Sequence, residues 1–305
     1  MVLSTFLELA KISELSPTQR IVLGLPMAVG GLGVTALAPL AGAAYEASTS
    51  GLAGEEMLGQ AERVALVNSA SLSSLLEADA SWRPILARCC LPGASSWLLA
   101  TNLSGPFFGG TSCRGFVGAL HIRLRYSPPH PPALPPLSVR LCPCGFQSPT
   151  VIDYEVHALG CTRRGSYAVS ARHNSLAQWF ASLLANHGTR ATFEPSLNGR
   201  KRADLVFFAD TAIYVDFTII NSGAKSNVSR PFDTTAKSRG KAKKKKYIAA
   251  LEEGELFFVV AMDTLGGLTG ESAAFVRIVS RITNIPAAFI TTMMVKLVMI
   301  RNGEI

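Results

Sequence analysis

Two aspartates twelve positions apart lie in apolar runs that have the composition of β-strands. Asp204 stands in RADLVFF (202–208) and Asp216 in IYVDFTII (213–220). Burying an unpaired carboxylate costs several kcal/mol, so two acids on neighbouring strands indicate a shared divalent metal ion. Because a strongly basic segment follows them, the pair favours hydrolysis of a phosphodiester. In that chemistry the metal activates water and stabilises the charge that develops on phosphorus.

A third acid, Glu194, precedes the pair on an earlier predicted strand and is a further candidate metal ligand. The alternative interpretation of these acids is structural. In that case Asp204 forms a salt bridge with a neighbouring cation, and Asp216 only marks the end of a strand. The cations adjacent to Asp204 are Arg200, Lys201 and Arg202.

Three cysteines and a histidine form a second group with a defined spacing. One residue separates Cys142 from Cys144, twelve lie between Cys144 and His157, and three lie between His157 and Cys161. Three thiolates and an imidazole complete a tetrahedral ligand set for Zn²⁺, and closed sites of this kind are structural rather than catalytic. The alternative is that the cysteines are small buried hydrophobes beside a surface histidine. The pattern predicts structural zinc.

A run of four lysines, 243–246, is followed by Tyr247. Lysine runs are commonly solvated helix faces or nuclear-import signals. The functional hypothesis is that one lysine points toward the two aspartates while the others hold backbone phosphates of a nucleic acid. The run by itself does not choose between these interpretations.

The composition is that of a basic globular protein. The 305 residues are 48% hydrophobic and 16% charged, which excludes bulk disorder and allows about two domains. Residues 200–246 contain twelve Lys or Arg against four Asp or Glu, an excess of eight positive charges. A polyanionic partner is therefore expected for this region.

Six cysteines are too few for a disulfide scaffold in a chain this long. The N-terminal residues lack the basic start of a signal peptide, so an intracellular, reducing compartment is expected. The uncharged stretch 21–45 is long enough to span a bilayer, but its prolines, glycines and alanines weaken its hydropathy and its helix continuity. We expect no stable membrane association.

The predicted organisation has five parts. Residues 1–125 are mainly helical, with SPTQ (16–19) as a helix start and 55–76 as an amphipathic segment. A proline-rich linker at 126–139 follows, then the Cys/His segment at 140–165, an α/β domain at 166–285 and an apolar C-terminal segment at 286–305.

The α/β domain is predicted from the order of its periodic segments. A helix opens at RHN (172–174) and ends at Gly188, with Leu176, Trp179, Phe180, Leu183 and Leu184 on its apolar face. Strands are predicted at 191–194, 203–209 and 212–220, a helix around 241–251 and a last strand at 255–261. This order predicts a mixed sheet flanked by helices.

Five motifs in this order resemble the C-terminal restriction-like endonuclease region of site-specific non-LTR retrotransposons. They are the Cys/His group, RHN (172–174), RAD (202–204), VDFT (215–218) and KxxKY (243–247). Such regions carry a zinc-knuckle-like segment and then a nuclease of the PD-(D/E)xK kind. The stretches LGLPMAVGGLG (23–33) and AYEAS (44–48) are similar to the segment after the polymerase domain in such polyproteins. No polymerase core is recognisable, so we expect a fragment or a decayed remnant.

The resemblance implies a PD-(D/E)xK fold in which Asp204 and Asp216 hold Mg²⁺ or Mn²⁺. The helix that carries Lys243, Lys246 and Tyr247 would complete the active site. Contacts to DNA would come from Arg172, His173, Arg200, Lys201, Arg202, Lys244 and Lys245.

Two positions depart from the pattern of that family. Ala203 stands where the family usually has proline, and Thr218 stands where many related nucleases keep their catalytic lysine. If a lysine is needed to orient water and balance charge, it must come from the later helix, with Lys243 as the first choice and Lys246 as the second.

The expected function is that of a nuclear, metal-dependent DNA endonuclease that nicks a target strand so that reverse transcription can be primed there. DNA and the element RNA are the expected partners. The rival hypotheses are a zinc-containing nucleic-acid-binding module without catalysis and an inactive relic.

Overall fold

The computed structural model describes residues 7–8, 10, 12–34, 60–99, 112–126, 142, 144–146, 157–197, 201–224, 226–227 and 229–303. The chain divides into two compact units, Met1–Cys90 and Leu91–Ile305.

The described part of the first unit is helical, as predicted. It contains α1 (Pro17–Gly24), α2 (Gln60–Ala78) and α3 (Trp82–Cys89), with a 3-10 turn at Met27–Val29. Helix α1 begins at the predicted position because the side chains of Ser16 and Gln19 each accept a hydrogen bond from the other's backbone N–H. Gly30 has a φ of 91°, and a Cβ there would lie 2.8 Å from the carbonyl oxygen of Leu86. Residues 55–59 of the predicted amphipathic segment lie outside the described ranges.

The second unit contains the remaining described elements. They are α4 (Ser112–Leu124), α5 (Thr162–Asn186), β1 (Ala191–Phe193), β2 (Ser196–Leu197), β3 (Lys201–Arg202), β4 (Leu205–Phe208), β5 (Ala212–Ile220), α6 (Phe232–Tyr247), β6 (Leu256–Asp263), α7 (Gly270–Thr283) and α8 (Ala287–Gly303). Two 3-10 helices, Ser96–Leu99 and Ile248–Ala250, complete the set.

A four-stranded mixed sheet forms the centre of this unit, in the order β1-β4-β5-β6. The first three strands are antiparallel, and β6 runs parallel to β5 after the crossover through α6. Strands β2 and β3 form a separate short hairpin. The prediction of an α/β fold with a mixed sheet is confirmed.

Alternate residues of β5 face helices on opposite sides of the sheet. The ring of Phe217 packs with Phe180 of α5 and Phe275 of α7. On the other face Ile220 packs with Phe232 and Ala236 of α6. Helices therefore cover both faces of the sheet at β5.

Two helices begin earlier than predicted. Helix α5 starts at Thr162, so RHN (172–174) lies in its middle and does not open it. Helix α6 starts at Phe232, nine residues before the predicted 241, and Gly240 lies inside it.

Helix α4 packs against α8, so this segment belongs to the second unit, whereas the sequence grouped it with the N-terminal region. Apart from Tyr126, the proline-rich linker lies outside the described residues, and its role as a domain boundary stays a prediction. No single described helix has the length and hydropathy to cross a bilayer. Helices α7 and α8 meet those criteria only when joined through a bend of 120°.

Candidate active site

The two aspartates face each other where β4 begins. The register pairs Leu205 with Val215, so Asp204, just before β4, lies opposite Asp216. Among the described residues β4 pairs with β5 only up to Val215, and the rest of β5 has an edge open on that side. The site is built on this open edge.

The backbone of Phe217 is the hydrogen-bonding centre of the site. Its N–H donates to Asp204 Oδ2 at 2.6 Å. Its carbonyl oxygen lies 3.1 Å from Nε2 of His173 and accepts a hydrogen bond from Lys243 at 3.3 Å. His173 Nε2 also lies 2.9 Å from Asp204 Oδ2. Both neighbours of this nitrogen are acceptors, so Nε2 carries the proton.

Lys243 of α6 reaches the second aspartate and forms a hydrogen-bonded ion pair with Asp216 Oδ1. Asp216 is only 4% exposed. Burial and the nearby charge of Asp204 raise the pKa of Asp216, and Lys243 only partly offsets this. The buried acid therefore depends on a cation.

Asp204 and His173 shift each other's pKa in the directions that favour an ion pair. Burial opposes the ionised form of Asp204, but its hydrogen bonds from His173 and Phe217 and the charge of Lys243 together lower its pKa. Burial likewise opposes protonation of His173, but the Asp204 carboxylate raises the pKa of the imidazole above its ordinary value of 6.5. Asp204 is thus ionised at neutral pH.

Three side chains of this site can hold a metal ion. One ligand atom from each of His173, Asp204 and Asp216 lies within 4.8 Å of the other two. Two carboxylate oxygens and an imidazole nitrogen suit divalent first-row metals, and the carboxylates suit Mg²⁺.

Glu194 is not brought into this group. Its backbone N–H donates to the carbonyl oxygen of Asp204, so the residue is in register with the two aspartates. Its φ of 48° redirects the chain, and its carboxylate lies 3.9 Å from the guanidinium of Arg202. Glu194 is therefore not a ligand in this arrangement.

The structural interpretation of the acids is wrong for Asp216, and for Asp204 it is not met by Arg202, the neighbouring cation whose side chain is described. Asp204 pairs with His173, the described cation beside it pairs with Glu194, and Asp216 lies inside β5 rather than at a strand end. Arg200 and the side chain of Lys201 lie outside the described residues, so their roles stay predictions.

The lysine side chains of the basic helix α6 point in different directions. Lys244 lies 2.8 Å from Glu271 of α7, away from the aspartates, and Lys245 is exposed. Lys246 donates to the hydroxyl of Tyr247, which in turn donates to the carbonyl oxygen of Arg202. Tyr247 is buried and ties α6 to β3 instead of reaching the acids. Of the two candidate lysines, Lys243 contacts Asp216 directly.

Arg172 was predicted to contact DNA, but its side chain is only 2% exposed. Its guanidinium donates to Asn302 of α8 and, at 2.9 Å, to the carbonyl oxygen of Leu159. Burial lowers the pKa of Arg172 to about 10, although nearby Asp263 acts in the opposite direction. Arg172 therefore joins three segments of the interior, and its burial gives no support to the predicted contact with DNA.

His173 was predicted to contact DNA rather than to belong to the acid site. Helical spacing could have placed His173 at the acid site. His173 stands three positions before Leu176 and seven before Phe180, so the three residues share one face of α5. Leu176 and Phe180 are fully buried against the sheet. The same face of α5 therefore brings His173 to the strand edge.

A cleft of about 500 Å³ adjoins the site between α5 and α6. His173 and Lys243 line it, together with Thr218 and Arg239, neither of which was predicted as a site residue. In the sequence, Thr218 stood out only as a departure from the family pattern.

The Cys/His group forms a compact cluster, as predicted. Cys142 and Cys161 have their sulfurs 3.4 Å apart, and His157 Nε2 lies 3.1 Å from the sulfur of Cys144 and 3.3 Å from that of Cys142. A tetrahedral Zn²⁺ site needs ligand separations of about 3.5–3.8 Å, so small shifts accommodate the ion. The cluster could bind a metal such as zinc.

Local structure explains how the cluster forms. Gly145, with a φ of 85°, directly follows Cys144, and its N–H donates to the carbonyl oxygen of Cys142 at 2.8 Å. Phe146 stacks on the ring of His157 at 4.0 Å. Cys161 is the residue directly before α5. Burial raises the pKa of Cys142 to about 11, so its thiol stays protonated unless a metal displaces the proton.

No protein-family model matches this chain, and no curated protein matches its sequence.

Proposed function

We propose that the second unit is a metal-dependent DNA endonuclease of the PD-(D/E)xK kind that nicks one strand of its target. The observation that carries the proposal is the meeting of Asp204, Asp216, His173 and Lys243 at the open edge of β5. Two acids on adjacent strands of a mixed sheet, with helices on both faces, agree with the fold that the family resemblance implies. The basic helix α6 beside them suits a polyanionic substrate.

The donor set fits Mg²⁺ or Mn²⁺. Asp204 and Asp216 would supply carboxylate oxygens, and His173 a nitrogen once its Nε2 proton is lost. When bound, such an ion acts as a Lewis acid on a phosphoryl oxygen and lowers the pKa of a water molecule. A bound cation would also offset the electrostatic repulsion between the two buried carboxylates.

Lys243 would hold positive charge next to the phosphoryl group that is attacked. Its ammonium group is held by Asp216 and by the carbonyl oxygen of Phe217, so its position is fixed before substrate arrives. A fixed cation at the point where negative charge develops favours the transition state more than the ground state. Lys243 would thereby take the role that related nucleases give to a lysine at the position of Thr218.

The Cys/His cluster would hold zinc as a structural ion. Its last member, Cys161, lies directly before α5, and this helix carries His173 about three turns later. Leu159, inside the cluster loop, accepts a hydrogen bond from Arg172. A zinc ion would therefore fix the start of the helix that positions His173.

DNA would be bound mainly through its phosphates, by the exposed cations Arg202 and Lys245 near the site. The same proposal extends to three further expectations, which rest on the family resemblance. They are nicking of target DNA to prime reverse transcription, binding of an element RNA, and nuclear localisation through the lysine run.

Nicking of a supercoiled plasmid in Mg²⁺ or Mn²⁺ tests the proposal, using the full chain shown to be folded and zinc-loaded. Wild type should nick, and Asp216→Asn should not. Asp210→Asn is the matched control, because Asp210 is an exposed acid in the turn between β4 and β5. Equal nicking by all three would indicate contamination or another site. Absence of nicking with retained DNA binding would favour the non-catalytic module or a relic.

A further inference from the structure

The cleft beside the aspartates has a lining that suits one strand of a nucleic acid. Its polar wall comes from α5, β5 and α6 and consists of Ser170, His173, Asn174, Thr218, Arg239 and Lys243. Its apolar lining includes Val169, Ile219 and Ala242. A single phosphate ion would leave most of its roughly 500 Å³ unfilled, whereas a phosphate with its sugar uses both the charged and the apolar walls.

Thr218 provides the first sign of a ligand. Its side chain is only 7% exposed, and its hydroxyl has no hydrogen-bond partner in the part of the chain that the structure describes. A buried hydroxyl without a partner is unfavourable. Thr218 lies two residues after Asp216 and on the same side of β5, so an oxygen of a ligand beside the acids can accept its O–H hydrogen bond.

Arg239 provides the second sign. It stands four residues before Lys243 on α6, about 6 Å along the helix, and lines the same cleft. Its side chain is exposed, and none of the hydrogen bonds or ion pairs of the described residues involves it. The planar guanidinium of an arginine can donate two parallel hydrogen bonds to two oxygens of one phosphate.

The second large cleft, on the other side of α6, lacks these features. Its charged lining consists of Asp233, Glu271 and three lysines, of which Lys244 is paired with Glu271. None of the described residues that hydrogen-bond to the carboxylate of Asp204 or Asp216 lines it. Lys237 lines this second cleft and offers a matched control on the same helix.

We propose that the cleft between α5 and α6 binds the DNA strand that is cut, with Arg239 holding the phosphate next to the scissile one. The Thr218 hydroxyl donates to an oxygen of the same strand. This inference rests on the proposed endonuclease function and names the subsite that positions its substrate. Arg239 is a positioning residue, since it acts on the strand and not on the phosphorus that is attacked.

Binding of a labelled short DNA duplex by the full zinc-loaded chain, in Ca²⁺ so that cutting is suppressed, tests the inference. Arg239→Ala should weaken binding about tenfold and reduce the salt slope by about one, whereas Lys237→Ala should change affinity less than about twofold. Arg239→Lys should recover part of the loss. In nicking assays Arg239→Ala should raise KM about tenfold and leave kcat within about threefold.

Thr218→Val keeps the shape of the side chain and removes the hydroxyl, so it should weaken DNA binding without loss of folding. Equal effects of Arg239→Ala and Lys237→Ala would overturn the inference, as would competition by inorganic phosphate at the same molar concentration as DNA. If no variant nicks DNA, the endonuclease proposal fails. The contrast between Arg239 and Lys237 in binding still decides whether the strand lies in this cleft.

Discussion

Lys243 on helix α6 pairs with Asp216 on strand β5, a contact between residues twenty-seven positions apart in sequence. Under the proposed function, the pair explains how Thr218 can occupy the strand position that holds a lysine in many of the nucleases that the sequence resembles. Asp216 and Thr218 share one side of β5, and that side faces α6. A cation on the facing helix can therefore reach the same space as a cation two residues along the strand.

The two aspartates should act as one unit in catalysis. Asp204→Asn and Asp216→Asn keep the size and hydrogen bonding of each side chain but remove the charge that retains a metal. Each should cost more than about 3 kcal/mol of transition-state stabilisation, and the double variant should cost little more than one. Rates of plasmid nicking measure this, with DNA binding retained or tightened. Additive losses would show that the acids do not serve one metal site.

Nicking should depend on the shape of the cation at position 243 as well as on its charge. Lys243→Ala should reduce nicking, and Lys243→Arg should restore little of it, because a planar guanidinium cannot occupy the compact position of the ammonium beside Asp216. Lys245→Ala is the comparison variant for nicking under saturating DNA, since Lys245 is exposed on the same helix. Full activity of Lys243→Arg would argue that only charge matters at this position.

The pair of His173 and Asp204 should make the stability of the metal-free site depend on pH. His173 faces Asp204, Asn174 and Lys243, and its pKa is raised above 6.5 in the folded chain. Its contribution to the free energy of unfolding is therefore fully present below the unfolded pKa and is lost as pH rises through the folded pKa. Denaturant unfolding without added Mg²⁺ should show this loss in wild type and not in His173→Gln. Identical pH profiles would contradict the pairing.

Sequence periodicity predicted the elements whose burial is regular. Strand β5 has the predicted bounds, and the apolar face of α5 is buried at Leu176, Phe180 and Leu184. Helix starts were predicted where a capping side chain marks them, as Ser16 does for α1. Cys161 and Pro231 precede α5 and α6 without a side-chain cap, so the capping signal that marks α1 is missing at those starts.

The roles of residues that are adjacent in a helix were harder to predict, because their side chains point in different directions. Arg172 and His173 were predicted to share one role, as parts of one motif. Successive residues on a helix point about 100° apart, which sends Arg172 into the interior and His173 to the strand edge. Only the packing of α5 against both the sheet and α8 determines which direction leads to the site.

Zinc should bind with one ion per chain, through Cys142, Cys144, His157 and Cys161. Thiolates must lose their protons to bind, so acidification should release the ion and loosen the start of α5. Elemental analysis and hydrogen exchange measure these effects. Cys161→Ser should lose zinc, whereas Cys90→Ser, which removes an exposed thiol outside the cluster, should retain it. Purified folded protein without zinc would contradict a structural metal site.

Neighbouring lysines of α6 should differ in their effect on DNA binding, although the sequence presents them as one run. Lys244 is paired with Glu271 at 2.8 Å, whereas Lys245 is exposed. If DNA is bound through phosphates, Lys245→Ala should weaken binding about equally for unrelated sequences and reduce the salt slope by about one. Lys244→Ala should change the slope less, because Glu271 already neutralises that lysine. Titrations of two unrelated duplexes at several salt concentrations measure both slopes. An unchanged slope in Lys245→Ala would remove this face of α6 from the DNA interface and favour a role of the run in import.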